Sequence, residues 1–144
     1  MRLIEQAVAM LAGILAKAGI GKVQEARDDL NQMCERTTGL DLTTLKNTSP
    51  DEVTQLLAQG GALRYSRSVI VAEILLADAA LQERDPAAPP PLKNLVHAFC
   101  LLSDSVDVLA DDDEKIYRAK LRELAAKLEP YREYPALKER FERI

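Results

Sequence analysis

The chain has 144 residues and a net charge of −4, with 47% hydrophobic and 29% charged side chains. That balance suits one globular domain, 1–144, with a single core, and the acidic sign disfavours nucleic acid, which is held by Lys and Arg on phosphates. Aromatic residues are only 4% and Trp is absent, so Leu, Ile, Val, Ala and Met must build the core. Period-two alternation is missing and β-branched residues are sparse, which predicts an all-α chain. The first helix is predicted over Arg2–Ala18. Its apolar residues, from Leu3 and Ile4 to Leu15 and Ala18, cover about 160° of the helical wheel, wider than the stripe of an ordinary surface helix. Ala9, Ala12 and Ala16 add a small-residue stripe on the far side. The segment loosely mimics a signal peptide, but Glu5 stands where positive charge belongs and Lys17 closes the apolar run.

Gly19-Ile20-Gly21 ends that helix, and a second is expected from Lys22 to Thr37, burying Val23, Ala26, Leu30, Met33 and Cys34 until Gly39 closes it. Leu40, Leu42 and Leu45 then read as an irregular or 3₁₀ turn tucked inward. Ser49-Pro50-Asp51-Glu52 is a strong helix start, with Ser49 as cap and Pro50 in the first turn. A short helix with Val53, Leu56 and Leu57 follows. From Ala62 to Arg84 the pattern is apolar on two sides, which marks a central helix with neighbours on both. The proline-rich stretch 85–91 cannot be helical and reads as an extended connection. A helix over Leu92–Ala110 carries the stripe Leu95, Phe99, Leu102, Val106 and Leu109. Asp111 is expected to cap the next helix, which buries Tyr117, Leu121, Leu124 and Leu128. Pro130 ends it, and Pro135 opens a last short helix with Leu137, Phe141 and Ile144.

Short connections make neighbouring helices antiparallel, so the expected architecture is a single bundle of about six helices built from antiparallel hairpins. Val23-x-x-Ala26-x-x-x-Leu30-x-x-Met33, following a glycine turn, resembles the second helix of a tetratricopeptide repeat, where the small residue lets paired helices approach closely. The order of the apolar first helix, Glu25-Ala26, Leu40-Asp41-Leu42-x-x-Leu45 and Ser49-Pro50 also resembles an uncharacterised family of small bacterial all-helical proteins. The resemblance implies a tetratricopeptide-like fold and a bacterial source; it carries no activity or site residues.

Candidates for chemistry are few. His97, Cys100 and Asp104 share one side of the 92–110 helix, and that side is expected to point away from the main core. They could form a thiolate–imidazole pair or part of a metal site, or simply a polar or subunit-facing surface. Arg64, with Tyr65 and Arg67, could grip a phosphate or carboxylate. Asp111-Asp112-Asp113-Glu114 lacks the spacing and glycine of a calcium loop and reads as helix-start charge. Phosphate-loop and dinucleotide fingerprints are missing, so no cofactor is expected. The small stripe Ala9, Ala12, Ala16 could pair with a second copy, or be covered internally by the alanine side of the 62–84 helix. A corresponding interface would include Tyr65, Val69, Ala72 and Leu76.

These features favour a non-enzymatic scaffold or protein–protein interaction module, with another protein or a second copy as partner. A small-molecule binder with a pocket between the 62–84 and 92–110 helices, and Arg64, Tyr65 or His97 at its mouth, is the alternative. A thiol enzyme using Cys100 comes third. Cys34 and Cys100 form neither a CxxC motif nor a disulfide framework, which points to a reducing cytoplasm. No segment approaches the ~20 apolar residues of a membrane span.

Overall fold

The computed structural model describes residues 2–59 and 61–143, without the side chains of Arg2 and Ala62. Among these residues there are eight α-helices and no strand. Helix α1 (Arg2–Gly19) turns through Gly21, at φ 90°, into α2 (Val23–Thr38), and Gly39, at φ 81°, ends α2. The left-handed backbone costs glycine nothing, and the Gly39 N–H bonds back to the Glu35 carbonyl. Ala26, Leu30, Met33 and Cys34 are buried, as the spacing predicts.

The expected turn at Leu40–Leu45 is instead a helix, α3 (Leu42–Asn47). Its physical cause is a cap: the Asp41 carboxylate accepts the Thr44 N–H at 2.8 Å. With α3 and the short C-terminal helix the described residues hold eight helices, against the expected number of about six. Helix α4 (Pro50–Ala58) starts as predicted, with Ser49 Oγ accepting the Glu52 N–H at 3.2 Å.

Helix α5 (Arg64–Glu83) is the centre of the molecule. Every residue from Ser68 to Leu75 is buried, and α1, α2, α4 and α6 (Leu92–Ser105) all pack on it. The two apolar sides read from its sequence therefore both find cover. Leu63, in the 3₁₀ turn that precedes the helix, is 44% exposed. The proline-rich connection 85–91 is non-helical. Asp85 shapes it, its side chain accepting the Ala87 N–H at 3.0 Å.

Helix α6 is shorter than expected, because 3₁₀ structure replaces it at Val106–Val108. Phe99, Leu102 and Val106 are buried, while Leu95 and Leu109 are half-buried against the core. Helix α7 (Asp111–Leu128) takes Ala110 as its N-cap, not Asp111, which falls one position inside. Its acids still sit at the positive end of the helix dipole. Tyr117, Leu121, Leu124 and Leu128 face inward. After a 3₁₀ turn at Glu129–Tyr131, α8 (Pro135–Glu142) lies on α6. Leu137 is fully buried and the Phe141 ring meets Phe99 at 5.0 Å between centroids. Ile144, expected to continue this stripe, lies outside the described residues.

Candidate functional site

The His97–Cys100–Asp104 side of α6 does not point away from the core. His97 is 5% exposed and Cys100 fully buried, because α3, α4 and α8 pack on α6 and cover this side. His97 Nε2 lies 2.6 Å from the Thr48 carbonyl and Nδ1 2.7 Å from that of Lys93. A neutral imidazole has one N–H and donates to one of them; an imidazolium donates to both. Either way the ring joins α6 to the end of α3 and is not turned toward the thiol. The Cys100 thiol points at the Ala136 carbonyl of α8, 3.6 Å away. Burial pushes it up to about 12, opposite to what a thiolate nucleophile requires.

Asp104 is the anchor of an ion-pair cluster. Arg140 donates to it through Nε at 3.0 Å and Nη2 at 2.9 Å, and Arg143 adds a bond at 2.9 Å. Burial alone would raise the Asp104 carboxyl, but these two guanidiniums outweigh it and hold it below the usual carboxylate range. Arg140 also reaches Asp51 of α4 at 3.0 Å. The three side chains make their hydrogen bonds to other residues and not to one another, and each is spent on holding α3, α4 or α8 against α6.

The other sequence candidates scatter. Arg64 stacks over Tyr65, 4.8 Å from the ring centroid. Val69 and Ala72 are fully buried in the chain's own core, which removes them from any interface; Tyr65 and Leu76 are half-buried. Ala9, Ala12 and Ala16 are exposed, so α5 does not cover this stripe, and the internal reading of it is corrected. The α1 stripe that does meet the core is narrower than expected: Ile4, Ala7, Leu11, Ile14 and Ala18 are buried, while Leu3, Val8 and Met10 are 39–47% exposed. Helices α5 and α6 are packed closely, and the principal cavities are lined by none of Arg64, Tyr65 and His97.

The cavity that combines apolar walls with buried polar groups lies elsewhere. Helices α1 and α7 stand apart over α5 and leave a groove of two adjoining hollows, about 360 and 260 Å³. Val8, Ala12, Glu73 and Lys120 line both hollows. Ile4, Glu5, Ala9, Ile116, Tyr117 and Asp113 complete the first, and Leu11, Leu15, Leu76 and Ala77 the second. The small side chains of Ala9 and Ala12 give the groove its depth, and Ile116, 53% exposed, stands on the opposite wall.

Glu73, from the central helix, is only 8% exposed. It accepts Lys120 Nζ at 2.7 Å and the Tyr117 hydroxyl at 3.2 Å. Burial, and then the neighbouring Glu73 charge, pushes the Tyr117 phenol above its ordinary range and keeps it a donor. Asp113 is also 8% exposed, and its Oδ2 has no hydrogen-bond partner among the described residues. A third, separate hollow of about 280 Å³ is lined in part by Arg118, Arg122 and Arg143. Two of these are already neutralised, Arg118 by Asp107 and Glu114 and Arg143 by Asp104.

Sequence reading missed Glu73, Asp113, Ile116 and Lys120. For Glu73 a signal existed: it is the sole charge between Arg67 and Asp78 in an otherwise apolar helix. Nothing local separates Asp113 from Asp111 and Asp112. Among the described residues no group of three or more His, Cys, Asp or Glu is arranged to hold a metal ion, and no helix is long and apolar enough to cross a membrane. Comparison with protein-family models, with curated proteins and with solved structures finds no match.

Proposed function

We propose that the chain is a non-enzymatic interaction module, cytoplasmic and bacterial, whose groove between α1 and α7 takes an amphipathic helix from a protein partner. The observation that carries this reading is the groove itself: its apolar walls stay open to solvent in the isolated chain. Val8 and Ile116 expose large apolar surface on opposite sides, and the alanines between them leave room for another helix backbone. An amphipathic helix lays its apolar side into such a groove through anchors about one turn apart. The tetratricopeptide-like reading belongs to this proposal too. It is supported by α2, which places the fully buried Ala26 among helices α1 and α5.

The test is selection of helical peptides from a displayed library against the folded protein. Selected peptides are expected to shift the backbone amides of α1 and α7, and to lose binding to Ala12→Arg, which fills the groove from an exposed position. Peptides that map to another surface would remove the groove from the reading. Sedimentation of the free chain separates a second copy from another protein as partner: a dimer abolished by Ala12→Arg would make the partner the chain itself.

A further inference from the structure

We infer that His97 is a proton-dependent clasp: as an imidazolium it ties α6 to the junction of α3 and α4, and on losing its proton it lets that junction go. Both ring nitrogens of this buried side chain face carbonyl oxygens, Nε2 that of Thr48 at 2.6 Å and Nδ1 that of Lys93 at 2.7 Å. A carbonyl oxygen accepts and never donates. A neutral ring has one N–H, so its other nitrogen would set a lone pair against an oxygen lone pair at hydrogen-bond distance. Only the doubly protonated ring satisfies both contacts. Both are also shorter than the ~2.9 Å of a neutral N–H···O bond, as a charged donor makes them.

The two oxygens differ in freedom. Lys93 lies one turn back on α6 and accepts the ring proton on its second lone pair, so the helix itself fixes that distance. Thr48 follows the last turn of the short helix α3, where carbonyls lack a helical partner, and leads into α4. A neutral ring therefore keeps its proton on Nδ1 and gives up Thr48. Other charged and titratable groups on the surrounding elements are engaged elsewhere. On α6, Lys93 Nζ bonds to Asn47, Asp104 is held by Arg140 and Arg143, and the Cys100 thiol turns to Ala136. From α3, Lys46 pairs with Asp78 of α5; from α4, Asp51 pairs with Arg140 of α8, and Glu52 is exposed. On α8, Lys138 pairs with Glu133, and Glu139 is exposed. None of them forms an ion pair with the ring among the described residues. The carbonyls are what favours the charged ring, and burial is what opposes it.

His97 is the sole histidine of the chain, so its titration carries no overlap from another ring. The ring nitrogens of labelled protein are followed by NMR from about pH 5 to 9, a span that brackets the ordinary imidazole value, in the folded state and in urea. The folded chain is expected to keep the second ring proton to higher pH than the unfolded chain, with the amides of Asn47, Thr48 and Ser49 shifting in the same step. A folded ring that loses this proton at the same or a lower pH would overturn the inference, as would a ring transition that leaves those three amides unmoved. Urea unfolding of His97→Gln gives a second reading. A proton held more tightly by the folded chain stabilises it at low pH and ceases to as pH rises. The wild type's lead over the variant in urea midpoint should therefore shrink between about pH 6 and 8.5. A lead that stays constant or grows would overturn the clasp.

Discussion

At the scale of single residues, the protein uses polar groups as fasteners between elements distant in sequence. Arg140 is the clearest example, joining α8 to α6 through Asp104 and to α4 through Asp51. Arg140→Ala is expected to cost about 1.5–3 kcal/mol near neutral pH, the range for hydrogen bonds to charged groups. The pH dependence has a definite sign. The Asp104 carboxyl is depressed in the folded chain, so its pairing contributes stability above the ordinary carboxylate value and loses it as pH falls through the folded one. The gap between wild type and Arg140→Ala in urea unfolding should therefore shrink below about pH 4. A gap that stays constant would show that the ion pair is not its source. These roles were not legible beforehand. A helical wheel of α6 registers its main apolar stripe, and the cover over His97 and Cys100 comes from α3, α4 and α8, whose docking leaves no trace in the local periodicity.

Among the elements, helix boundaries were the readable part, since the signals are chemical and local. Gly39 ends α2, Ser49-Pro50 starts α4 and Pro135 starts α8. Helix α3 escaped because six residues are too few to display a period. The site escaped because it depends on the separation of α1 and α7, which no single helix encodes. Two glycines give this scale its prediction. A Cβ at Gly13, in the middle of α1, would meet nothing within 4 Å, so Gly13→Ala should stabilise the protein by about 0.5–1 kcal/mol. Gly39 also has open space around it, but its φ of 81° is strained for any other side chain, so Gly39→Ala should destabilise by about 1 kcal/mol. Thermal midpoints moving in opposite directions would bear this out. A stable Gly39→Ala chain would mean that the turn after α2 can be rebuilt.

For the molecule as a whole, α5 sets the cooperativity. Helices α1 and α2 pack on it, as do α4 and α6, so neither group keeps its core without it. Ile74→Ala, at a fully buried position, should cost about 2–5 kcal/mol and lower the stability of both groups together. Helical circular dichroism and tyrosine emission should fall at one denaturant midpoint, in the wild type and in the variant. Two separated midpoints would mean that one group holds its packing unaided. The order in which the chain leaves the ribosome gives α5 a further consequence. Synthesis delivers the N-terminal hairpin while its lid is still unmade, and domains begin to settle as they emerge. Until Glu83 clears the exit tunnel, two oily flanks wait without a mate, and a pause in translation inside that window would expose the newborn chain to clumping or to capture by a chaperone.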